Sequence, residues 1–238
     1  SFVPGSTPPN SFDSIALASG GLDSTTVLAI AISEGFSPLP LTFRYGQKHS
    51  IETARLEQIA AAMGLSAPLV LELPYEHFGQ SALLGSTPIP PEPQQGASAR
   101  QEIPTTYVPA RNLVFLSMAV AVAESHGVRD IWIGVNALDY SGYPDCRPEF
   151  VEAMNHVAGI ANFEPVALHA PYLHASKADI LRDGLSMGLD YRQTWTCYEG
   201  RELACGQCGS CRERLAAFAA NHSVDPLDYA IDTSQVAH

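Results

Sequence analysis

The chain has 238 residues and a formal net charge of −12, from 25 acidic and 13 basic residues, with 46% hydrophobic and 16% charged. That length supports one substantial core but is short for two comfortable domains, and no unbroken apolar run approaches the roughly eighteen residues of a membrane span. The acidic balance argues against a nucleic-acid partner, because neutralising phosphates with a basic face supplies most of the affinity for one.

In chain order, residues 1–10 carry three prolines and no apolar period, and are expected to form a tail. Residues 14–18 predict a strand and 24–34 a helix. The short apolar stretch within that helix has no basic flank, so a secretory signal is not expected. Residues 39–43 predict a second strand, about 49–63 a helix, and 69–73 a third strand. Residues 85–104, rich in Pro, Gln, Ser and Gly, read as a long loop of the kind that forms lids or stays disordered. A helix is predicted over about 112–126 and a strand over 130–135. Pro148 then opens a helix with Glu149 and Glu152 in its first turn, as the helix dipole favours. Residues 166–170 predict a strand and 176–187 a helix capped by Ser176. Strands alternating with helices imply an α/β fold, a parallel sheet with helices on both faces. In such a sheet the ligand lies beyond the carboxyl ends of the strands, where their order reverses.

The first strand runs into Ala18-Ser19-Gly20-Gly21-Leu22-Asp23-Ser24-Thr25-Thr26 and then into a helix. Two adjacent glycines let the backbone approach an anion closely. The hydroxyls and free amides at the helix start, with the dipole behind them, make a phosphate site. The spacing is neither Gly-x-Gly-x-x-Gly nor the lysine-bearing P-loop. The string resembles the PP-loop of ATP pyrophosphatases, and that resemblance implies Mg²⁺-ATP as co-substrate and adenylation of a substrate oxygen. Asp23 is a candidate either to cap the loop or to hold Mg²⁺.

Of the five cysteines, Cys146 stands alone, and Cys197, Cys205, Cys208 and Cys211 cluster. A disulfide scaffold is not expected at this chain length, and the cluster points to a cytoplasmic protein with a metal site. Four thiolates suit a closed tetrahedral zinc centre. An iron–sulfur cluster is the rival, but its sequence run adds a fourth cysteine three residues further on, followed by proline. Here Arg212-Glu213-Arg214-Leu215 follows Cys211. One structural Zn²⁺ per chain is therefore expected. The cysteine segment breaks the strand–helix rhythm and reads as an appendage. Residues 11–193 are the expected nucleotide-binding catalytic domain, and residues 194–230 the zinc segment of the same unit.

Three further strings are informative: Tyr107-Val108-Pro109-Ala110-Arg111-Asn112, the run from Gly134 to Phe150, and Ser176-Lys177-Ala178-Asp179. Together with Thr194-Trp195-Thr196-Cys197-Tyr198 they resemble the 7-cyano-7-deazaguanine synthase family, over most of the chain. The resemblance implies a ligase that converts 7-carboxy-7-deazaguanine and ammonia to a nitrile at the expense of ATP, through adenylated acid and amide stages, in queuosine biosynthesis. It further implies Arg111 and Lys177 as groups neutralising charge on the α-phosphate. Asn136, Asp139, Tyr140, Asp145 and Arg147 would line the deazaguanine pocket, with Asp139 or Asp145 as anchor of the amidine edge, and the family suggests a homodimer. Isolated aspartates more commonly cap helices or turns. Cys146 has no activating partner visible in the sequence and is taken as a pocket-lining thiol. His49 and His126 read as surface or helix-end histidines. Arg44 stands where many members carry an acidic residue. A tRNA-directed PP-loop ligase would call for a basic surface. A nucleotide-binding module dependent on a protein partner is the other rival, and the intact Gly134–Phe150 string argues against it.

Overall fold

A computed structural model describes residues 11–45, 51–74, 108–137, 143–199 and 202–233. Five strands form one sheet: β1 (Ser14–Leu17), β2 (Pro38–Arg44), β3 (Leu69–Glu72), β4 (Asp130–Trp132) and β5 (Ala167–His169). Their order is β3-β2-β1-β4-β5, and each neighbouring pair is parallel. The helices are α1 (Leu22–Ser33), α2 (Ile51–Ala62), α3 (Arg111–His126), α4 (Pro148–Ile160), α5 (Lys177–Ser186) and α6 (Gly209–Ala220).

Side chains alternate across a strand, and the two faces of the sheet fill two cores. Ala16 and Trp132 face a cluster built from α1, α2, α5 and α6, with Leu28, Leu56, Ile180 and Phe218 buried there. Ile15 and Ile131 face the opposite cluster, where Leu116 and Ala119 of α3 meet Val151 and Met154 of α4. Both faces being covered explains why the strands read as apolar runs rather than as alternating ones.

The chain builds outward from β1 to β3, then returns to place β4 and β5 on the other side of β1. The order thus reverses between β1 and β4, the crevice where ligands of such sheets bind. β4 is shorter than predicted. The Ile133 amide still donates to the His169 carbonyl, at 2.9 Å, but the chain then leaves the sheet, and the Ala137 amide bonds Leu173 instead, at 3.0 Å. Residues 134–136 are thereby released onto the rim of that crevice.

Helix α6 is the largest departure from the predicted elements. Its residues after the cysteines include good helix formers, but Arg214 interrupts the apolar stripe, and this arginine is fully buried. α6 packs against α5, which joins the small zinc subdomain to the sheet-and-helix unit. Arg44 pairs with Glu72 across β2 and β3 at 2.8 Å, on the exposed surface. His126 lies exposed at the end of α3, its Nδ1 2.9 Å from the Val122 carbonyl, while His49 falls outside the described residues. The same holds for residues 1–10 and for the predicted 85–104 loop. Among the described residues no helix is long and apolar enough to cross a membrane.

Candidate active site and zinc centre

The glycine loop joins β1 to α1, with Gly21 as the cap residue of the helix. Its own hydroxyls hold it in shape. The Ser19 amide donates to Ser24 Oγ at 3.2 Å, the Gly21 amide to Ser19 Oγ at 3.3 Å, and Ser24 Oγ to the Gly21 carbonyl at 3.3 Å. Gly20 has φ +87°, and a Cβ there would meet the Glu52 carbonyl oxygen at 2.7 Å and the Leu56 nitrogen at 3.2 Å. α2 therefore presses directly on the loop. Gly20→Ala is expected to destabilise the protein by about 2 kcal/mol, from left-handed strain plus the clash, seen as a thermal midpoint lowered by roughly 5 °C.

The loop forms one wall of a cavity of about 390 Å³ at the carboxyl ends of β1, β2 and β4. Ala18, Ser19, Gly21, Leu22, Asp23 and Ser24 line it. Arg111, Asn136 and Lys177 reach the same space from three other segments. Lys177 is the first residue of α5, fixed there by a capping box in which Ser176 and Asp179 satisfy each other's backbone amides. Its ammonium lies 3.0 Å from Asp23 Oδ2 and 3.9 Å from Glu213 Oε2. Arg111 opens α3 immediately after Ala110, which holds a left-handed φ of 52°, a strained turn of the kind found at functional sites. Burial works against the charge of Arg111. The Tyr45 hydroxyl, 3.4 Å from Nη1, and the neighbouring Cys146 and Asp145 outweigh that and hold its pKa above the usual arginine value.

Other predicted site residues are placed elsewhere. Gly20 turns its carbonyl away to accept from the Trp195 amide at 2.9 Å. Thr25 Oγ1 donates to the Gly21 carbonyl at 2.8 Å, and Thr26 is buried with its hydroxyl on Leu22 and Tyr191. Arg147 is exposed as the cap residue of α4. Asp145 is buried, and its Oδ2 accepts from the Asn112 amide at 2.8 Å, satisfying a free donor in the first turn of α3. Asp145→Ala is accordingly expected to cost about 1 kcal/mol, as for a lost cap, measured by urea unfolding. An anchor of the base would instead weaken 7-carboxy-7-deazaguanine binding with little loss of stability. Asp139 and Tyr140 lie outside the described residues.

The cavity also takes residues that the sequence did not single out. Glu52 at the start of α2 and Glu213 on α6 face it, as do Phe43, Tyr45 and Phe115. Phe43 and Phe115 stack with ring centroids 4.1 Å apart and make part of the cavity lining aromatic and apolar. Burial pushes the Glu52 carboxyl up to about 7, against the weaker pull of Arg111. Cys146 lines the space too and accepts from Asn112 Nδ2 at 3.2 Å. No sequence motif marks Glu52 or Glu213; each is singled out only by the segment packed opposite it.

The four clustered cysteines converge, all their sulfurs lying within 4.8 Å of one another. A tetrahedral zinc with Zn–S bonds of about 2.3 Å needs sulfurs about 3.8 Å apart, and Cys205 and Cys211 stand at 4.0 Å. The amides of Glu199 and Cys205 donate to the Cys197 sulfur at 3.4 and 3.3 Å, and those of Gln207 and Cys208 to the Cys205 sulfur at 3.4 and 3.3 Å. Such donors stabilise thiolates and orient them toward a metal. Packed together, the sulfurs shift one another's ionisation in opposite directions. Hydrogen bonds from Cys208 and Cys211 drive the Cys197 pKa far down, while the bond to Cys197 raises Cys208 to about 12 and raises Cys211 as well. The donor set fits Zn²⁺ with no position left open for chemistry, a structural site.

The zinc segment also braces the loop. Arg214 is fully buried, and its guanidinium donates to both oxygens of Asp225, at 2.6 and 2.9 Å, to Thr194 Oγ1 at 2.6 Å and to the Tyr191 carbonyl at 3.0 Å. The Tyr191 hydroxyl in turn meets Thr26 Oγ1 at 2.7 Å, inside α1. Trp195 through Tyr198 form part of the cavity wall.

Comparison with known proteins agrees with this geometry. The family model for "Queuosine biosynthesis protein QueC" matches residues 13–222. A 7-cyano-7-deazaguanine synthase of Geobacter metallireducens is 48% identical over 224 residues, covering 91% of this chain and 92% of the relative. One from Chromohalobacter salexigens is 47% identical over 224 residues, covering 94% of this chain and 88% of the relative. With a PP-loop, a four-cysteine zinc centre and this likeness along nearly its whole length, the chain belongs to the QueC family of 7-cyano-7-deazaguanine synthases.

Proposed function

We propose that the cavity between β1 and β4 is where this ligase, which converts 7-carboxy-7-deazaguanine and ammonia to 7-cyano-7-deazaguanine at the expense of ATP, carries out both activation steps. The carrying observation is the convergence of the glycine loop, Arg111 and Lys177, from three distant segments, on one space at the switch point of the sheet. A carboxylate is a poor electrophile, and adenylation turns its oxygen into a leaving group. The loop amides and the α1 dipole hold the pyrophosphate portion of ATP. Lys177 and Arg111 offset the charge that builds as the α-phosphorus is attacked. Mg²⁺ accompanies ATP, and the carboxylate of Asp23 and the hydroxyl of Ser24 are hard oxygen donors of the kind it takes. The same positions serve the second activation, because the amide oxygen sits on the carbon that carried the carboxylate.

The stacked Phe43 and Phe115 offer an aromatic, apolar lining to the deazaguanine ring, and Asn136, 6% exposed, lines the same cavity. Asp139, Tyr140 and Arg147 are assigned to base recognition on the family resemblance alone, whereas Asp145 is engaged by the Asn112 amide. Residues 11–193 act as the catalytic unit, and residues 194–230 as the zinc segment that walls it.

A homodimer is also proposed. Val157, Ile160 and Phe163, at 46%, 68% and 101% exposure, form an apolar edge at the end of α4, which suits a protein interface. Sedimentation equilibrium checks it, a monomer mass overturning it. A cytoplasmic setting is proposed as well, supported by a centre of four thiolates, which suits a reducing compartment.

The functional test is incubation of the zinc-loaded protein with ATP, Mg²⁺, ammonium and 7-carboxy-7-deazaguanine, followed by mass spectrometry. Amide, nitrile and AMP are the expected products. Base bound without AMP or modified base would point to dependence on a protein partner.

A further inference from the structure

Resting on that reading of the cavity, one ionisable group in it has no part in phosphate chemistry. Among the wall carboxylates, Asp23 and Glu213 both engage Lys177, at 3.0 and 3.9 Å. Glu52 stands apart from them, at the start of α2, where its backbone carbonyl packs on Gly20. It lines the same space as the loop, Arg111 and Asn136.

The reaction needs a proton acceptor there. Adenylation of the acid moves no proton, since a carboxylate oxygen attacks the α-phosphorus and pyrophosphate leaves. Every later proton is lost from nitrogen. Ammonia attacks the acyl carbon, the C–O bond breaks, AMP departs with the electron pair, and the new C–N nitrogen must lose one proton to become an amide. After the amide oxygen displaces pyrophosphate from a second ATP, the nitrogen carries two protons beside a C=N⁺ bond. Both must leave: the first neutralises the nitrogen, and the N–H pair of the second becomes the last C–N π bond as AMP departs.

We propose that Glu52 is the general base of these nitrogen steps, accepting the N–H protons and passing them to water at the cavity mouth. A carboxylate held there faces the same space as the glycine loop yet stands on a different segment from the lysine that serves the phosphate. A general base works best when its pKa lies near the operating pH, and the Glu52 carboxyl is pushed up to about 7 by burial, with Arg111 pulling the other way. The other ionisable groups around the cavity are Asp23, Tyr45, Arg111, Tyr143, Cys146, Lys177, Tyr198 and Glu213, with Cys197 committed to zinc. The raised pKa also sets a sign for stability. What Glu52 contributes to folding is complete below the ordinary glutamate range and is lost as pH rises through about 7. A glutamine there is expected to raise the thermal midpoint above that pH.

The test separates the proton-free step from the nitrogen steps in Glu52→Gln. Pyrophosphate exchange into ATP, dependent on 7-carboxy-7-deazaguanine and measured without ammonium, is expected to stay within about threefold of wild type. Conversion of the acid to amide, and of supplied amide to nitrile, should each fall about 10²-fold. The wild-type rate of nitrile formation should show an acidic limb near pH 7 that the variant lacks. Nitrile formation at the wild-type rate would overturn the proposal, as would exchange falling by the same factor as nitrile formation. If Glu52→Gln does not fold, Glu52→Asp and the wild-type pH profile decide, and a wild-type profile without that limb overturns it. Failure of the underlying site reading looks different, since Lys177→Ala would then keep its exchange activity whatever Glu52→Gln does.

Discussion

Lys177→Ala is expected to lower kcat/KM for AMP formation by about 10³-fold, the scale of removing one preorganised donor from a developing anionic centre in a water-poor site. Two effects add. The ammonium, 14% exposed in its side chain, stands against Asp23 at 3.0 Å and Glu213 at 3.9 Å. Removing it takes away a cation that faces the triphosphate and leaves two carboxylates directed at the same place. ATP binding should therefore weaken as well as turnover, which titration calorimetry reads separately from steady-state rates. Lys177→Arg keeps the charge but not the compact point donor, and its loss should be smaller. Stability should change little, because the α5 capping box rests on Ser176 and Asp179 and not on the lysine. An alanine variant with unaltered kcat/KM would remove Lys177 from the proposed chemistry.

The second large effect is on folding. Arg214→Ala should destabilise the protein by about 3–5 kcal/mol, as breaking a buried ion pair from one side does. The guanidinium is 0% exposed and Asp225 2%. Its loss would leave the Asp225 carboxylate buried without its cation, held only by the Tyr229 hydroxyl and the Leu227 amide, and would remove a donor from the Thr194 hydroxyl and the Tyr191 carbonyl. The Phe218 ring would also lose the cation lying 5.6 Å from its centre. A thermal midpoint lowered by roughly 10 °C is the expected reading. The double replacement Arg214→Met with Asp225→Leu should recover part of the loss, because no buried charge is then left unpaired, while the Tyr229 hydroxyl and Leu227 amide lose their acceptor. Because Tyr191 continues the network to Thr26 in α1, Arg214→Ala should weaken ATP binding even where the protein remains folded. A destabilisation below 1 kcal/mol would show the network to be dispensable.

The features legible in the sequence are those set by local constraints. Apolar runs between turn residues placed four of the five strands to within one residue at each end, because both faces of the sheet are buried, and overran β4 by three. The Gly20-Gly21 pair and the hydroxyls after it marked the phosphate loop, because only glycine tolerates φ +87° with a carbonyl 2.7 Å from where a Cβ would stand. The spacing of Cys205, Cys208 and Cys211 marked the metal centre, since three of its four ligands lie within one short segment. The capping box behind Lys177 was readable in part from Ser176.

What lies opposite each of these elements was decided only by the tertiary structure. Asp145 lies in a string that resembles a base pocket, yet it caps α3, 33 residues earlier in the chain. Arg214 carries no motif, and it becomes the buried tie between the zinc segment and, through Tyr191, α1. Glu52 and Glu213 carry no motif, and they reach the cavity because α2 and α6 are packed against the loop and against α5. The physical reason is common to all four. A charged side chain takes its role from the dielectric around it and from the partner across the gap, and both come from residues far away in the chain. Period and spacing determine which segments form and where the backbone can bend, while packing determines which charges those segments bring face to face.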